Sequence, residues 1–409
     1  MNPGVELVST GSELLSGRTV NRHANTLGEL LRPVGLVVVR DTTVGDDLDS
    51  IEEAIRGALD RTDRVFVSGG LGPTSDDMTR DAIARLLGRD VVMDDGAMQA
   101  MVERYAEFGR KVSKESERQA LVVEGADVLL NPVGIAPGER LDLDGKTLFI
   151  LPGPPGEFRG VLETHIIPWL RDNVPGARPV EERILMVSGI GESDVAAAFE
   201  SAGFPGEGID IGYCASPGRV EVRIGGTPED AERLDAEAAR AQELLGDHIY
   251  AAERIEIEEV VLRRLSRSAR FLATAEFGTD GLLAQRMSLS PSSAGTFLGG
   301  IVIHNLDLLV GELGVTVEEI EADGAVSESV ARRMAAAARI KYGAQVGVAL
   351  TGFAAGYGKG SGKRDGTLYA AMDDGQAGKA KRFHMAGGRE RITSWAVQSA
   401  LDWLRRRLK

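Results

Sequence analysis

The residues of this 409-residue chain best placed to do chemistry are carboxylates set beside glycine turns. Asp76 and Asp77 follow Ser68-Gly69-Gly70-Leu71-Gly72-Pro73-Thr74-Ser75. A glycine turn that enters a helix leaves backbone N–H groups unpaired, and these hold a phosphate or another anion. Two carboxylates beside such a hole repel a bare phosphate, so the pair calls for a metal ion or a proton between them. The plainer alternative is that both aspartates only cap the helix. Two further carboxylate loops carry glycine as well: Thr10-Gly11-Ser12-Glu13 and Gly45-Asp46-Asp47.

The elements needed to position these loops are readable. Val65–Val67 reads as a buried parallel strand. Thr74 or Ser75 then reads as the N-cap of a helix whose first turn holds Asp76 and Asp77, with Met78, Ala82, Ile83 and Leu86 at helical spacing. Gly4–Ser9 and Val37–Val39 read as the first two strands. Helices are marked by Val20, Ala24, Leu27 and Leu31, and by Leu48, Ile51, Ile55 and Leu59. Strands alternating with helices imply a parallel sheet covered on both faces. Ligands of such sheets bind beyond the carboxyl ends of the strands, where all three loops converge. Residues 93–125 read as a charged, helical excursion. Leu141–Leu143 and Lys146–Leu151 read as a hairpin across Asp144-Gly145, leading into Pro152-Gly153-Pro154-Pro155-Gly156-Glu157, and Val161–Leu170 closes the domain.

Length and composition set the class. At this size one core is too few, and two or three domains are expected. Lys and Arg number 47 against 62 Asp and Glu, a net charge of −15, the opposite of a general nucleic-acid binder. No apolar run is long enough to span a membrane. Residues 1–25 lack the basic start and apolar core of a secretory signal. The single cysteine, Cys214, excludes an internal disulfide, and the five histidines never fall in H-x-x-x-H spacing. A cytoplasmic protein is expected.

With these loops on the page, TGSELLSG, SGGLGPTSDDMT, NPVGIAPG and LPGPPGEFR, in this order and spacing, resemble the N-terminal domain of the CinA family, which is shared with molybdopterin-binding proteins. The resemblance covers residues 1–172 and implies an α/β/α sandwich with ADP-ribose pyrophosphatase activity dependent on a divalent metal. Asp77 matches a position essential in the molybdopterin relatives, and Asp46 matches a second carboxylate. On this reading Asp77, with Asp76 or Asp46, binds Mg²⁺ or a similar ion, and Glu13 or a metal-bound water partner is the base. The N–H groups of Gly69, Gly70 and Gly72 and of Thr10, Gly11 and Ser12 hold the diphosphate. Asn131 and Ser12 orient ribose hydroxyls, Pro152 and Gly153 wall the pocket, and Thr74 and Gly134 complete the binding set. The alternatives are nucleotidyl transfer to a pterin and a non-catalytic metabolite-binding scaffold.

Residues 173–254 resemble the KH-like middle domain of the family in their βαββα order. Gly203-Phe204-Pro205-Gly206 matches the GXXG pattern of RNA-binding KH domains. Here, however, it runs from a helix into a strand, and residues 181–250 hold 15 acidic residues against 5 arginines and no lysine. A spacer or dimerisation role is expected, with no nucleic acid and no membrane as partner. The family resemblance suggests a homodimer.

Residues 255–409 (ATAE, FLGGIVIHN, GAVSESVA, VALTGFAAG, GTLYAAM, RERI) resemble the family's C-terminal nicotinamide-mononucleotide amidohydrolase domain. The family's Ala-Glu-Ser-Cys-Thr-Gly-Gly loop reads Ala275-Glu276-Phe277-Gly278-Thr279-Asp280-Gly281 here, with Phe277 for serine and Asp280 for glycine. Ungapped alignment puts Ala294 at the family's serine, His304 at its tyrosine and Leu309 at its lysine. The family's TGIAGP reads Thr351-Gly352-Phe353-Ala354-Ala355-Gly356. A serine needs a partner to take its proton, and Leu309 cannot be one. The expectation is a domain that keeps its fold, with its degenerate site at Phe277, Thr279, Asp280, Ala294, His304 and Leu309 inactive as an amidase.

Overall fold

The computed structural model describes residues 4–174, 180–352, 366–376 and 378–408. Two compact units are formed, residues 1–181 and 182–409. The connector at Pro175-Gly176 and the segment Phe353–Gly356 lie outside the described residues.

The first unit holds strands β1 (Gly4–Thr10), β2 (Val37–Val44), β3 (Arg64–Ser68), β4 (Val91–Met93), β5 (Leu121–Val123), β6 (Asp127–Leu129), β7 (Gly138–Leu143) and β8 (Lys146–Leu151). Six of them form a sheet in the order β2-β1-β3-β8-β7-β6, and β4 pairs with β5 apart from it. The first four of the six are parallel. The other two are antiparallel additions. Asp144 and Gly145 both have positive φ and close the β7–β8 hairpin, as the Asp-Gly pair demands.

Alternation along the strands feeds two cores. Leu7, Phe66 and Phe149 pack against the helices His23–Leu31 and Pro155–Val161. Val8, Val65, Val67, Leu148 and Ile150 pack against the helices Leu48–Arg61 and Thr79–Leu87. β1 and β3, buried at every position, therefore have both faces covered.

Two expectations are corrected. Val20 is exposed and outside its helix, which starts at His23. Asp76 and Asp77 lie before the helix that they were expected to open; it starts at Thr79 with Met78 as N-cap. The chain turns back first, because the Thr79 N–H donates to the Gly70 carbonyl at 3.3 Å. The Thr79 hydroxyl also meets that of Thr10 at 3.1 Å.

The second unit begins with β9 (Glu181–Ser188), β10 (Asp210–Ser216), β11 (Arg219–Gly226) and β12 (Ile249–Ala251), in the order β10-β11-β9-β12. The last strand extends the expected βαββα pattern. The GXXG residues follow the helix Glu192–Ser201 and lead into β10. Then come β13 (Leu272–Phe277), β14 (Phe297–Ile303), β15 (Val346–Gly352), β16 (Thr367–Asp373) and β17 (Lys379–His384), ordered β14-β13-β15-β16-β17. Met186 and Tyr250 share one apolar core with Ile257, Val261 and Leu401, so the two parts of this unit are packed together.

Candidate active site

The carboxyl ends of β1, β3 and β8 open on a cavity of about 470 Å³ in the first unit. Its lining takes Thr10, Gly11 and Glu13 from the first loop and Asp46 from the second. Gly69, Gly70, Gly72, Asp76 and Asp77 come from the third loop, and Pro152 and Gly153 from the fourth. Three carboxylate loops distant in sequence thus share one space.

Ser12 and Asp46 clasp each other. The Ser12 N–H donates to Asp46 Oδ2 at 2.8 Å, and the Asp46 N–H donates to Ser12 Oγ at 3.1 Å. Asp77 Oδ2 accepts from the Thr74 N–H at 2.9 Å and from the Thr74 hydroxyl at 2.6 Å. A Cβ on Gly72 would come within 2.5 Å of that same oxygen, so glycine there leaves room for the Asp77 carboxylate in this position.

Several sequence assignments change. Ser12, Thr74, Asn131 and Gly134 do not line the cavity. Ser12 and Thr74 instead hold Asp46 and Asp77. Asn131 is spent on its own loop: its amide oxygen accepts from the N–H groups of Val133 and Gly134, and its amide nitrogen donates to the Ala136 carbonyl at 2.9 Å. It is therefore not free for a ribose hydroxyl. The anion hole is also smaller than expected. The Gly11 N–H donates to the Val44 carbonyl and the Gly69 N–H to that of Leu151, each at 3.0 Å, and the Ser12 N–H is on Asp46. The N–H groups of Gly70, Leu71 and Gly72 keep no protein partner among the described residues.

Sequence reasoning missed His23, Arg22 and Glu157, which also line the cavity. His23 Nε2 lies 2.8 Å from the Gly153 carbonyl, an acceptor only, so that nitrogen carries the proton. Nδ1 then accepts from the Ser68 hydroxyl at 3.1 Å. Burial pushes the His23 pKa down, against the Gly153 carbonyl, which favours the cation. A neutral imidazole stacked on Phe158 thus ties the Pro152–Gly153 rim to the end of β3. The signal was a lone histidine at the start of an apolar helix face, which a pattern alone does not tell from core.

A family model described as a probable molybdopterin binding domain matches residues 6–172. The damage-inducible protein CinA KH domain matches 182–251, and the CinA C-terminal domain matches 254–408. A CinA-like protein of Gemmatimonas aurantiaca is 38% identical over 98% of this chain and 96% of its own length. The chain belongs to the CinA family. A CinA-like protein of Frankia casuarinae is 37% identical over 98% of this chain and 96% of its own. A crystal structure of CinA, of unknown function, from Thermoplasma acidophilum is 38% identical, covering 39% of this chain and 94% of its own, with a TM-score of 0.37.

In the CinA C-terminal domain the positions expected to form a degenerate site have different surroundings. Phe277 and Leu309 are buried in one apolar core. Ala294 is exposed. Thr279 is buried and donates to Glu276 at 2.6 Å, and the same carboxylate accepts from the N–H groups of Leu283 and Ala284 at the start of the helix Leu282–Leu289. Asp280, at the place of a family glycine, is gripped by Arg389 at 2.6 and 3.0 Å, with His304 Nδ1 at 3.8 Å. Among the described residues no helix is long and apolar enough to cross a membrane.

Proposed function

We propose that the N-terminal domain of this CinA protein is a metal-dependent ADP-ribose pyrophosphatase that yields AMP and ribose 5-phosphate. The observation that carries this is the meeting of Asp46, Asp76, Asp77 and Glu13 with the free N–H groups of Gly70–Gly72 at one cavity of about 470 Å³. That volume lies in the range of small-molecule sites.

The donor set is all oxygen, which suits Mg²⁺. No group of three metal-ligating side chains occurs among the described residues. Mg²⁺ is commonly held by one or two carboxylates and by substrate phosphates rather than by a protein cage. Asp77, with Asp76 or Asp46, would hold it, and when bound it supplies charge neutralisation on the phosphates. The chain's own work is to seat the diphosphate on the Gly70–Gly72 N–H groups, to hold Asp46 and Asp77 through Ser12 and Thr74, and to offer Glu13 as a proton acceptor. The C-terminal domain, with Ala294 and Leu309 aligned to the family's serine and lysine, is proposed to be inactive as an amidase, and the middle domain to serve in assembly of a homodimer.

The alternative with some support is pterin nucleotidyl transfer, from the molybdopterin-binding match over residues 6–172. Supplying the full chain with ADP-ribose and Mg²⁺, and separately with ATP and a pterin, separates the two. AMP from ADP-ribose alone supports hydrolysis; pterin-dependent consumption of ATP overturns it.

A further inference from the structure

The cavity holds a carboxylate that no sequence pattern assigned a task. Glu157 lies in the first turn of the helix Pro155–Val161 and lines the cavity together with Glu13, Asp46, Asp76 and Asp77. It is half-buried, whereas Glu13 is exposed on the four-residue turn Ser12–Leu15. Its Oε2 accepts from the Asn131 amide at 2.7 Å, and its Oε1 has no partner among the described residues. Asn131 is itself fixed by three further hydrogen bonds within its loop. A Cβ at Gly134 would fall 2.0 Å from the Glu157 carboxyl, so the loop backbone is closed up against this side chain. A carboxylate with one oxygen anchored and the other unengaged, at the wall of a polar cavity, has the arrangement of a positioned base.

We infer that Glu157, in place of the exposed Glu13 named above, is the proton acceptor of this cavity, taking a proton from the water that attacks the diphosphate. The inference rests on the hydrolase reading of the same site. In the step, the water oxygen bonds to one phosphorus. The bridging P–O bond breaks, and its electron pair leaves on the other phosphate. The water proton goes to Glu157 Oε1 and is later lost to solvent. No oxidant or second substrate is needed.

Burial pushes the Glu157 carboxyl above the usual range, opposed by the Asn131 amide and the Arg104 guanidinium. The first effect makes it a stronger base than an exposed glutamate. The charged and titratable groups around it are Arg104 of the helix Asp95–Glu107, Arg22 and His23 of the cavity wall, and the four other cavity carboxylates.

The test is Glu157→Gln in the full chain. Gln keeps the size and can still accept from Asn131. Expected is a fall in kcat for AMP release of about a hundredfold, with ADP-ribose affinity within about threefold, read by calorimetry without metal. The acid limb of the wild-type kcat profile should vanish in the variant. Glu157→Asp should recover about tenfold over Gln with its acid limb displaced, and it carries the test should the Gln variant not fold. An active wild type matched in kcat by a folded Glu157→Gln overturns the role alone. A variant that loses affinity rather than turnover overturns it too. A wild type that releases no AMP overturns the hydrolase reading and this role with it.

Discussion

Thr74 grips one oxygen of Asp77 twice, through its backbone N–H at 2.9 Å and its hydroxyl at 2.6 Å, and Asp77 lines the cavity. The threonine expected to cap a helix instead fixes the rotamer of the carboxylate to which the chemistry is assigned. Thr74→Val removes the hydroxyl donor and keeps the backbone one. Hydrogen bonds to charged groups contribute about 1.5–3 kcal/mol, so AMP release should fall about tenfold. Steady-state assays beside an unchanged thermal melt check this.

Arg80 and Glu139 form a buried pair at 2.7 Å, and Arg80 also donates to the Leu71 carbonyl at 3.1 Å. The pair pins the glycine turn to β7. Glu139→Gln leaves a buried guanidinium without its counter-charge, which costs about 3–5 kcal/mol. Urea unfolding followed on the first unit should show a loss of that size. A loss under about 1 kcal/mol would mean that water or rearrangement satisfies Arg80.

Glu259 gives the second unit an acid-sensitive contact. Burial alone would raise its carboxyl, but the hydroxyls of Ser290 and Ser292, the Ser292 N–H and Arg263 outweigh it and bring it down to about 2. A depressed folded-state pKa contributes stability above the unfolded value and loses it as pH falls toward the folded one. The wild type should therefore melt higher than Glu259→Gln at pH 7. That difference should narrow between the ordinary carboxylate range near 4.5 and a pH of about 2. Thermal melts of both chains across that window check the sign.

The C-terminal domain should not convert nicotinamide mononucleotide to the acid. Leu309, at the family's lysine position, is fully buried and cannot take a proton, and Arg389 already occupies Asp280. Chromatography of the full chain with the mononucleotide should show no acid formed. Any turnover above the rate without protein would require a nucleophile and base elsewhere in that domain.

The sheet edge was legible because β1 and β3 are largely apolar and end in glycine turns, and such strands point their loops to one side. The βαββα order of the middle domain was legible for the same reason of periodicity, but the added strand β12 and the C-terminal β17 were not read. The division of labour inside the rim was not. Ser12, Thr74 and Asn131 have the types that contact sugars and phosphates, and the same types staple loops; only the partners found in three dimensions separate these uses. The N–H groups of Gly11 and Gly69 looked free because their acceptors, Val44 and Leu151, arrive from other strands. Glu157 was visible beside its prolines, but its contact with Gly134 spans 23 residues and leaves no local pattern.

The most direct measurement is AMP release from ADP-ribose by the full chain and by Asp77→Asn, each with Mg²⁺ and with a chelator. Mg²⁺-dependent AMP from the wild type, lowered about tenfold or more in an equally stable Asp77→Asn, is the predicted result. No AMP from the wild type, or the same rate from both chains, contradicts the assignment of this cavity to diphosphate hydrolysis.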